Sequence, residues 1–341
     1  MRVALVAFLL SLSGYSLAQT QRNVSFSNGT IRLAGTLTFP LGTSIHPAII
    51  IVLGSGATNR EGEVDGLKPF QEVAAELAKK GFIVLRYDNR SKGHSQGKPI
   101  EEATTTELAT DAQAAFTFLK GLKQVDPQRI GLIGHSEGAT IAAVAASKIR
   151  DIKGLLTLNA PALPGFEDIL LTTEQRLRKA GTPDDTIRSY LANLKRYLGH
   201  PANASLPKRK LAARTMVLFE IAQLPVQQQA KITKADIESA VNNQMHEVLT
   251  RWEQHYLSLN PAVYYPKVSV PIHLLFSESE VKGLLAKRLR VFNKVFHESK
   301  QAHSIRLIKH ADHNLFTTNQ KHKAVSLTFL KAVVEEAIKS I

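Results

Sequence analysis

Short apolar runs of strand length, each followed by a stretch of helical spacing, constrain this chain more than any other feature. Residues 48–53 are continuously apolar, as a strand buried on both faces must be. Residues 70–80 carry helical spacing and stop at Gly81, a natural helix C-cap. The pattern then repeats. Residues 82–86 read as a strand, and 105–122 as an amphipathic helix with Leu108, Ala112, Ala115, Phe116 and Leu119 on one stripe. Strand 129–133, an Ala-rich helix over 137–148 and strand 154–158 follow. Such alternation predicts a parallel sheet covered by helices on both faces. Upstream, 24–39 alternates around Asn28-Gly29 and predicts a hairpin with those two residues as its turn.

The alternation stops near residue 165. Between 165 and 260 no strand pattern occurs, and the stretch reads as a helical insertion. Thr182-Pro183 predicts an N-cap with Pro in first helical position, and Thr233 to Asp236 a capping box with Asp in place of Glu. Strand 271–276, helix 282–297, strand 304–308 and helix 322–339 then resume the alternation. The expected organisation is a core over 19–164, a helical cap over 165–262, and the second part of the core over 263–341.

Residues 1–18 read as a secretory signal peptide. Met1-Arg2 is a positive start, 3–12 an apolar run too short to span a bilayer, and Ser16-Leu17-Ala18 offers small residues before a cleavage point at Gln19. The expectation is an exported protein, periplasmic or secreted, with no stable membrane insertion. Asn23, Asn28 and Asn203 head Asn-X-Ser/Thr triplets that matter only in a glycosylating host. The 341 residues contain no cysteine, which excludes disulfide frameworks, thiolate metal sites and cysteine nucleophiles. The net charge of +14 has no aromatic interleaving and no Lys/Arg run beyond 208–210, so a solvated basic surface is expected and nucleic acid is not an expected partner. Oligomeric state is not legible in the sequence.

The chemistry-bearing residues lie where strands end. Gly134-His135-Ser136-Glu137-Gly138 is a G-x-S-x-G pattern between a predicted strand and a predicted helix, the setting in which a sharp turn lifts a serine hydroxyl clear of its neighbours. Such a serine needs a base. His313, in the loop after strand 304–308, is the candidate, with His310 as runner-up. His310, Asp312 and His313 also read as a metal-ligand group, but no further ligands accompany them, so neither a metal nor an organic cofactor is expected. The acid that orients the imidazole should follow strand 271–276, where Glu280 is the first candidate and Glu278 the second. Backbone N–H groups for an oxyanion are expected from Glu137 and from the glycine-rich loop after strand 48–53, at Ser55 or Gly56.

With these residues in place the chain resembles the α/β-hydrolase superfamily, and within it bacterial serine esterases related to the serine aminopeptidase-like (S33-type) hydrolases. The resemblance covers nearly all of the chain after residue 18. Leu53-Gly54-Ser55-Gly56 resembles the family's oxyanion loop, and Tyr87 to Ser95 its Asp-x-Arg-Gly-x-Gly-x-Ser turn. Gly134 to Gly138 resembles its nucleophile elbow, Trp252 to Pro261 the segment leaving its cap, and Ala311 to Asn314 its histidine loop. Leu53 replaces the usual His, Ser91 a Gly, and Glu280 the usual Asp. The resemblance implies an α/β-hydrolase fold, a mostly parallel sheet flanked by helices with a helical cap insertion. It also implies a serine carboxylesterase acting on small-molecule short- to medium-chain acyl esters through Ser136, His313 and Glu280. A peptidase or amidase of the same fold, and a non-catalytic binding protein, are the alternative expectations.

Overall fold

The computed structural model describes residues 20–54, 56–57, 59–199, 205–279, 282–318 and 323–341. The apolar runs become strands: β1 (Gln21–Asn28), β2 (Ile31–Thr38), β3 (His46–Val52), β4 (Ile83–Tyr87), β5 (Val125–His135), β6 (Leu155–Leu158), β7 (Ile272–Ser277) and β8 (His303–Ile308). They form one sheet in the order β1-β2-β4-β3-β5-β6-β7-β8, parallel from β4 to β8 and antiparallel at β1 and β2. Between them lie α1 (Pro69–Lys79), α2 (Thr105–Lys120) and α3 (Glu137–Ala146). Helices α10 (Lys282–Ser299) and α11 (Leu327–Ser340) complete the layers.

Alternation along β3 divides the core. Ala48, Ile50 and Val52 pack with α2, α3 and α10, whereas Ile49, Ile51 and Leu53 pack with α1 and α11. Both faces are therefore covered, which is why the run reads as uniformly apolar rather than alternating. Helix α3 is buried along its whole length, and its alanines allow it to lie close to β3 and β5.

Among the described residues the insertion between β6 and β7 carries helices and no strand: α4 (Gly165–Lys179), α5 (Asp184–Leu198), α6 (Leu206–Ala222), α7 (Val226–Gln229), α8 (Lys234–Leu249) and α9 (Arg251–Ser258). It has its own apolar cluster around Leu177, Ile187, Leu194, Ala213, Val217 and Val248. Charged links at both ends tie it to the rest. Near its start, Asp168 of α4 receives the guanidinium of Arg288 in α10 in a buried fork with both carboxylate oxygens at 3.0 Å. Near its end, Arg251 of α9 reaches Glu107 of α2 at 2.7 Å and the Glu102 carbonyl at 2.9 Å.

Several expected boundaries shift, and β5 starts at Val125 rather than at 129. In the hairpin, Asn28 pairs with Ile31, so the turn is Gly29-Thr30 and not Asn28-Gly29. Asn28 instead sends its amide to Thr110 and Asp111 of α2, both at 2.7 Å. Pro183, not Thr182, occupies the N-cap position of α5. The closing helix starts at Leu327, capped by the Ser326 hydroxyl, rather than at 322, which lies outside the described residues. The capping box of Thr233 and Asp236 forms with both halves present. The segment 1–18 and Asn203 also lie outside the described residues; among those described, no helix is long and apolar enough to cross a membrane.

Candidate active site

Ser136 stands between β5 and α3 at φ 56°, ψ −128°, a conformation that costs a non-glycine residue of order 1–3 kcal/mol and persists only where its surroundings impose it. They do so here. A Cβ on Gly134 would collide with the Gly138 carbonyl and Ala139, and one on Gly138 with the Val52 carbonyl of β3. The glycines of the motif thus permit α3 to pass against the strands, and the Ser136 N–H is fixed to the Leu158 carbonyl at 2.9 Å.

His313 Nε2 lies 3.0 Å from Ser136 Oγ. The loop that carries this histidine is held by groups that no sequence pattern singles out. Asn159, fully buried at the end of β6 and itself at φ 52°, donates to the His313 carbonyl at 2.9 Å and to Ser277 Oγ at 3.1 Å, and accepts from Ser277 N at 2.7 Å. Ser277 Oγ in turn donates to the Asp312 carbonyl at 2.6 Å. The His135 ring also reaches the His313 carbonyl, at 2.8 Å, and lies between Phe70 and the His313 ring. Three strand ends are thereby locked to one loop, which is how a buried polar network fixes a side chain's position.

The remaining candidates divide. The Asp312 carboxylate accepts from the N–H groups of Asn314 and Phe316 at 2.9 and 2.8 Å and shapes the turn. His310 is exposed at φ 58°, outside the cavity wall. Among the described residues no group of His, Asp and Glu has a metal-binding arrangement. Glu278 is exposed and continues the ladder through its N–H to the Ile308 carbonyl. Glu280 and Ser55 lie outside the described residues. Their flanks do not: Gly54 packs so closely on the elbow that a Cβ there would stand 3.2 Å from Glu137 Cβ and 3.4 Å from Glu137 N. The Ala57 N–H closes a turn onto the Gly54 carbonyl at 3.1 Å, and Asn89 Nδ2 holds that carbonyl at 2.8 Å. Gly56 and Leu53, the latter where the family has His, line the cavity beside Ser136.

The Tyr87-to-Ser95 turn is scaffolding for that loop. Asp88 takes Arg60 through its backbone N–H at 2.7 Å and its guanidinium at 2.6 Å, and Arg90 forks onto Asp111. Ser91 adopts φ 56°, where the family's glycine would sit without strain, and its hydroxyl accepts from Ile100 N at 3.1 Å.

The cavity holding Ser136 and His313 measures about 580 Å³. Leu53, Val64 and Phe70 supply the apolar wall from the core, and Ile169, Trp252 and Tyr256 from the insertion. Three glutamates line it, Glu63, Glu137 and Glu253, and no lysine or arginine among the described residues does. Burial, with Glu137 and Glu247 nearby, pushes the Glu253 carboxyl up to about 7. Burial likewise lowers the pKa of His255 on the same helix. Residue spacing carries no sign of Glu253, because its place in the wall depends on how the insertion sits over the core.

The family model for serine aminopeptidases, S33, matches residues 61–214. The esterase EstD of Thermotoga maritima is 32% identical over 167 residues, 48% of this chain and 39% of that protein. The chain spans less than half the length of the curated relatives it matches. The hypothetical protein PA2218 of Pseudomonas aeruginosa, a solved structure, covers 100% of both chains at a TM-score of 0.56 and 17% identity. The α/β hydrolase GrgF of Penicillium sp. sh18 covers 94% of this chain and 97% of its own at 0.56 and 18%.

Proposed function

We propose that this chain, which carries the α/β-hydrolase fold and resembles the serine aminopeptidase-like hydrolases within it, is a serine carboxylesterase for short- to medium-chain acyl esters. The observation that carries the reading is the 3.0 Å contact between Ser136 Oγ and His313 Nε2 at a strained strand-to-helix turn, inside a cavity with a largely apolar wall. In this reading Ser136 attacks the ester carbonyl while His313 takes its proton. The N–H groups of Glu137 and Ser55, or of Gly56 in place of Ser55, meet the oxyanion. His313 then protonates the leaving alcohol, and water repeats the cycle on the acyl-enzyme. Glu280 is the proposed acid, in preference to the exposed Glu278. Residues 1–18 are the proposed export signal.

Hydrolysis of p-nitrophenyl esters from acetate to decanoate by residues 19–341 tests this. Turnover that disappears in Ser136→Ala, falls strongly in Glu280→Gln and survives in Glu278→Gln is the expected result. Equal silence of wild type and Ser136→Ala on every ester would overturn it.

One observation favours a second reading, a peptidase with the same machinery. The half-buried Glu253 carboxyl faces the cavity, a place where a free peptide amine would find a counter-charge. Cleavage of aminoacyl p-nitroanilides, lost in Glu253→Gln while ester turnover persists, would establish it.

A further inference from the structure

Glu137 is the residue whose N–H heads α3, yet its side chain is occupied elsewhere. The residue is 7% exposed. One oxygen, Oε1, accepts from two directions: from the buried hydroxyl of Thr105 in the first turn of α2 at 2.8 Å, and from Nε1 of Trp252 in the first turn of α9 at 3.0 Å. The neighbours of these donors meet as well. Arg251, one residue before Trp252, pairs with Glu107, two residues after Thr105. Glu107 is itself the partner of Thr104 in the capping box that starts α2. The first turns of three helices therefore converge on one carboxylate, and the positive ends of their dipoles favour negative charge there. Trp252 is further set by stacking on Tyr256, with ring centroids 5.2 Å apart.

From this arrangement, and resting on the serine-hydrolase reading above, we propose that Glu137 is a positioning residue that couples the seat of the helical insertion to the nucleophile turn. Its side chain, gripped by core and insertion together, fixes the direction of its own N–H toward the oxyanion. The insertion thus does more than wall the cavity. When α9 is seated, the Trp252–Glu137–Thr105 chain is closed and the elbow is held in its reacting geometry; when α9 shifts, Oε1 loses the Trp252 donor. Loss of either donor is expected to slow acylation by about tenfold.

The test compares Thr105→Val, Thr105→Ser and Trp252→Phe with wild type, in two reactions: turnover of p-nitrophenyl butyrate, and the rate of phosphonylation of Ser136 by a fluorophosphonate. The expected result is a kcat about tenfold lower in Thr105→Val and in Trp252→Phe with KM within about twofold, a parallel fall in phosphonylation, and recovery in Thr105→Ser. Trp252 is the single tryptophan of the chain, so its emission in Thr105→Val reads the re-aimed carboxylate without any substrate. If Trp252→Phe and Thr105→Val are phosphonylated as fast as wild type, or change KM alone, the coupling is wrong and Trp252 is only wall. If wild type is phosphonylated but turns over no ester, the ester reading falls and the coupling is judged on phosphonylation rates. A wild type that resists both reagents overturns both.

Discussion

The sheet and the insertion hold their shape by different means. Around β3 and β5, packing is continuous on both faces: Ile49, Ile50 and Leu132 are fully buried, and α3 exposes almost nothing. The insertion encloses a smaller cluster and leaves Leu211 and Leu218 of α6 66% and 46% exposed. It is attached to the core by a few polar links, Asp168 to Arg288, Arg251 to Glu107 and Trp252 to Glu137. The residues we assign to chemistry sit on the first region, and Ile169, Trp252 and Tyr256 of the cavity wall come from the second. A reacting centre needs positions fixed by dense packing, whereas a wall that selects substrates tolerates variation.

The comparison is broken most severely at the reacting pair. Ser136→Ala is expected to lower kcat by a factor of about 10⁴ or more with little change in folding stability, because alanine keeps the same backbone conformation and loses only the hydroxyl's contact with His313. Assay and thermal unfolding together check this.

Next come the buried ion pairs. Removing one partner of such a pair costs about 3–5 kcal/mol. Asp88→Asn, which frees Arg60 in the core, should lower the stability of the whole molecule in denaturant unfolding. Asp168→Asn should act locally instead, exposing α4 to α9 to limited proteolysis before the sheet unfolds. If both variants unfold in one transition with equal loss, the two regions are a single cooperative unit.

Smaller effects follow from packing. Ile50→Ala should cost about 2–5 kcal/mol, and Leu218→Ala no more than about 0.5 kcal/mol, by the same unfolding measurement.

The smallest effect concerns pH. Glu253 ionises near 7 rather than at the usual carboxylate value, because burial and two neighbouring glutamates oppose its charge. As pH rises through that value a negative charge enters the cavity, where it opposes an oxyanion. For a neutral ester, kcat/KM of Glu253→Gln relative to wild type should rise about threefold between about pH 5.5 and about pH 8.5. Its contribution to stability has the same sign: a raised carboxyl favours the fold below its ordinary pKa of 4.5, and that contribution is lost as pH rises through about 7. A flat ratio would remove Glu253 from the electrostatics of the site.

Most of the sheet, and the meeting of Ser136 with His313, are legible in the amino-acid sequence. Continuous apolar runs mark the strands because burial on both faces leaves no polar positions, and the glycines at 134 and 138 mark a close crossing of backbone. Ser136 and His313 stand out because strand ends of a parallel sheet share an edge. The boundaries that differ do so for local reasons, as where the Asn28 amide finds Thr110 and Asp111 and the turn slides by one residue. Asn159, Arg60 and Glu253 leave no such mark. Each acts through a partner more than 25 residues away or through the seating of the insertion, and no spacing rule encodes that. Arg86 carries no signal either; a fully buried guanidinium in β4 is tolerated because Glu61 and Thr38 meet it.

The most direct test of the account is acid-quenched mass spectrometry during turnover of a p-nitrophenyl ester. The account predicts an acyl group on the peptide that contains Ser136, absent from Ser136→Ala and formed much more slowly in His313→Ala. Ester turnover that persists in Ser136→Ala, with no acyl adduct on wild type, would contradict it.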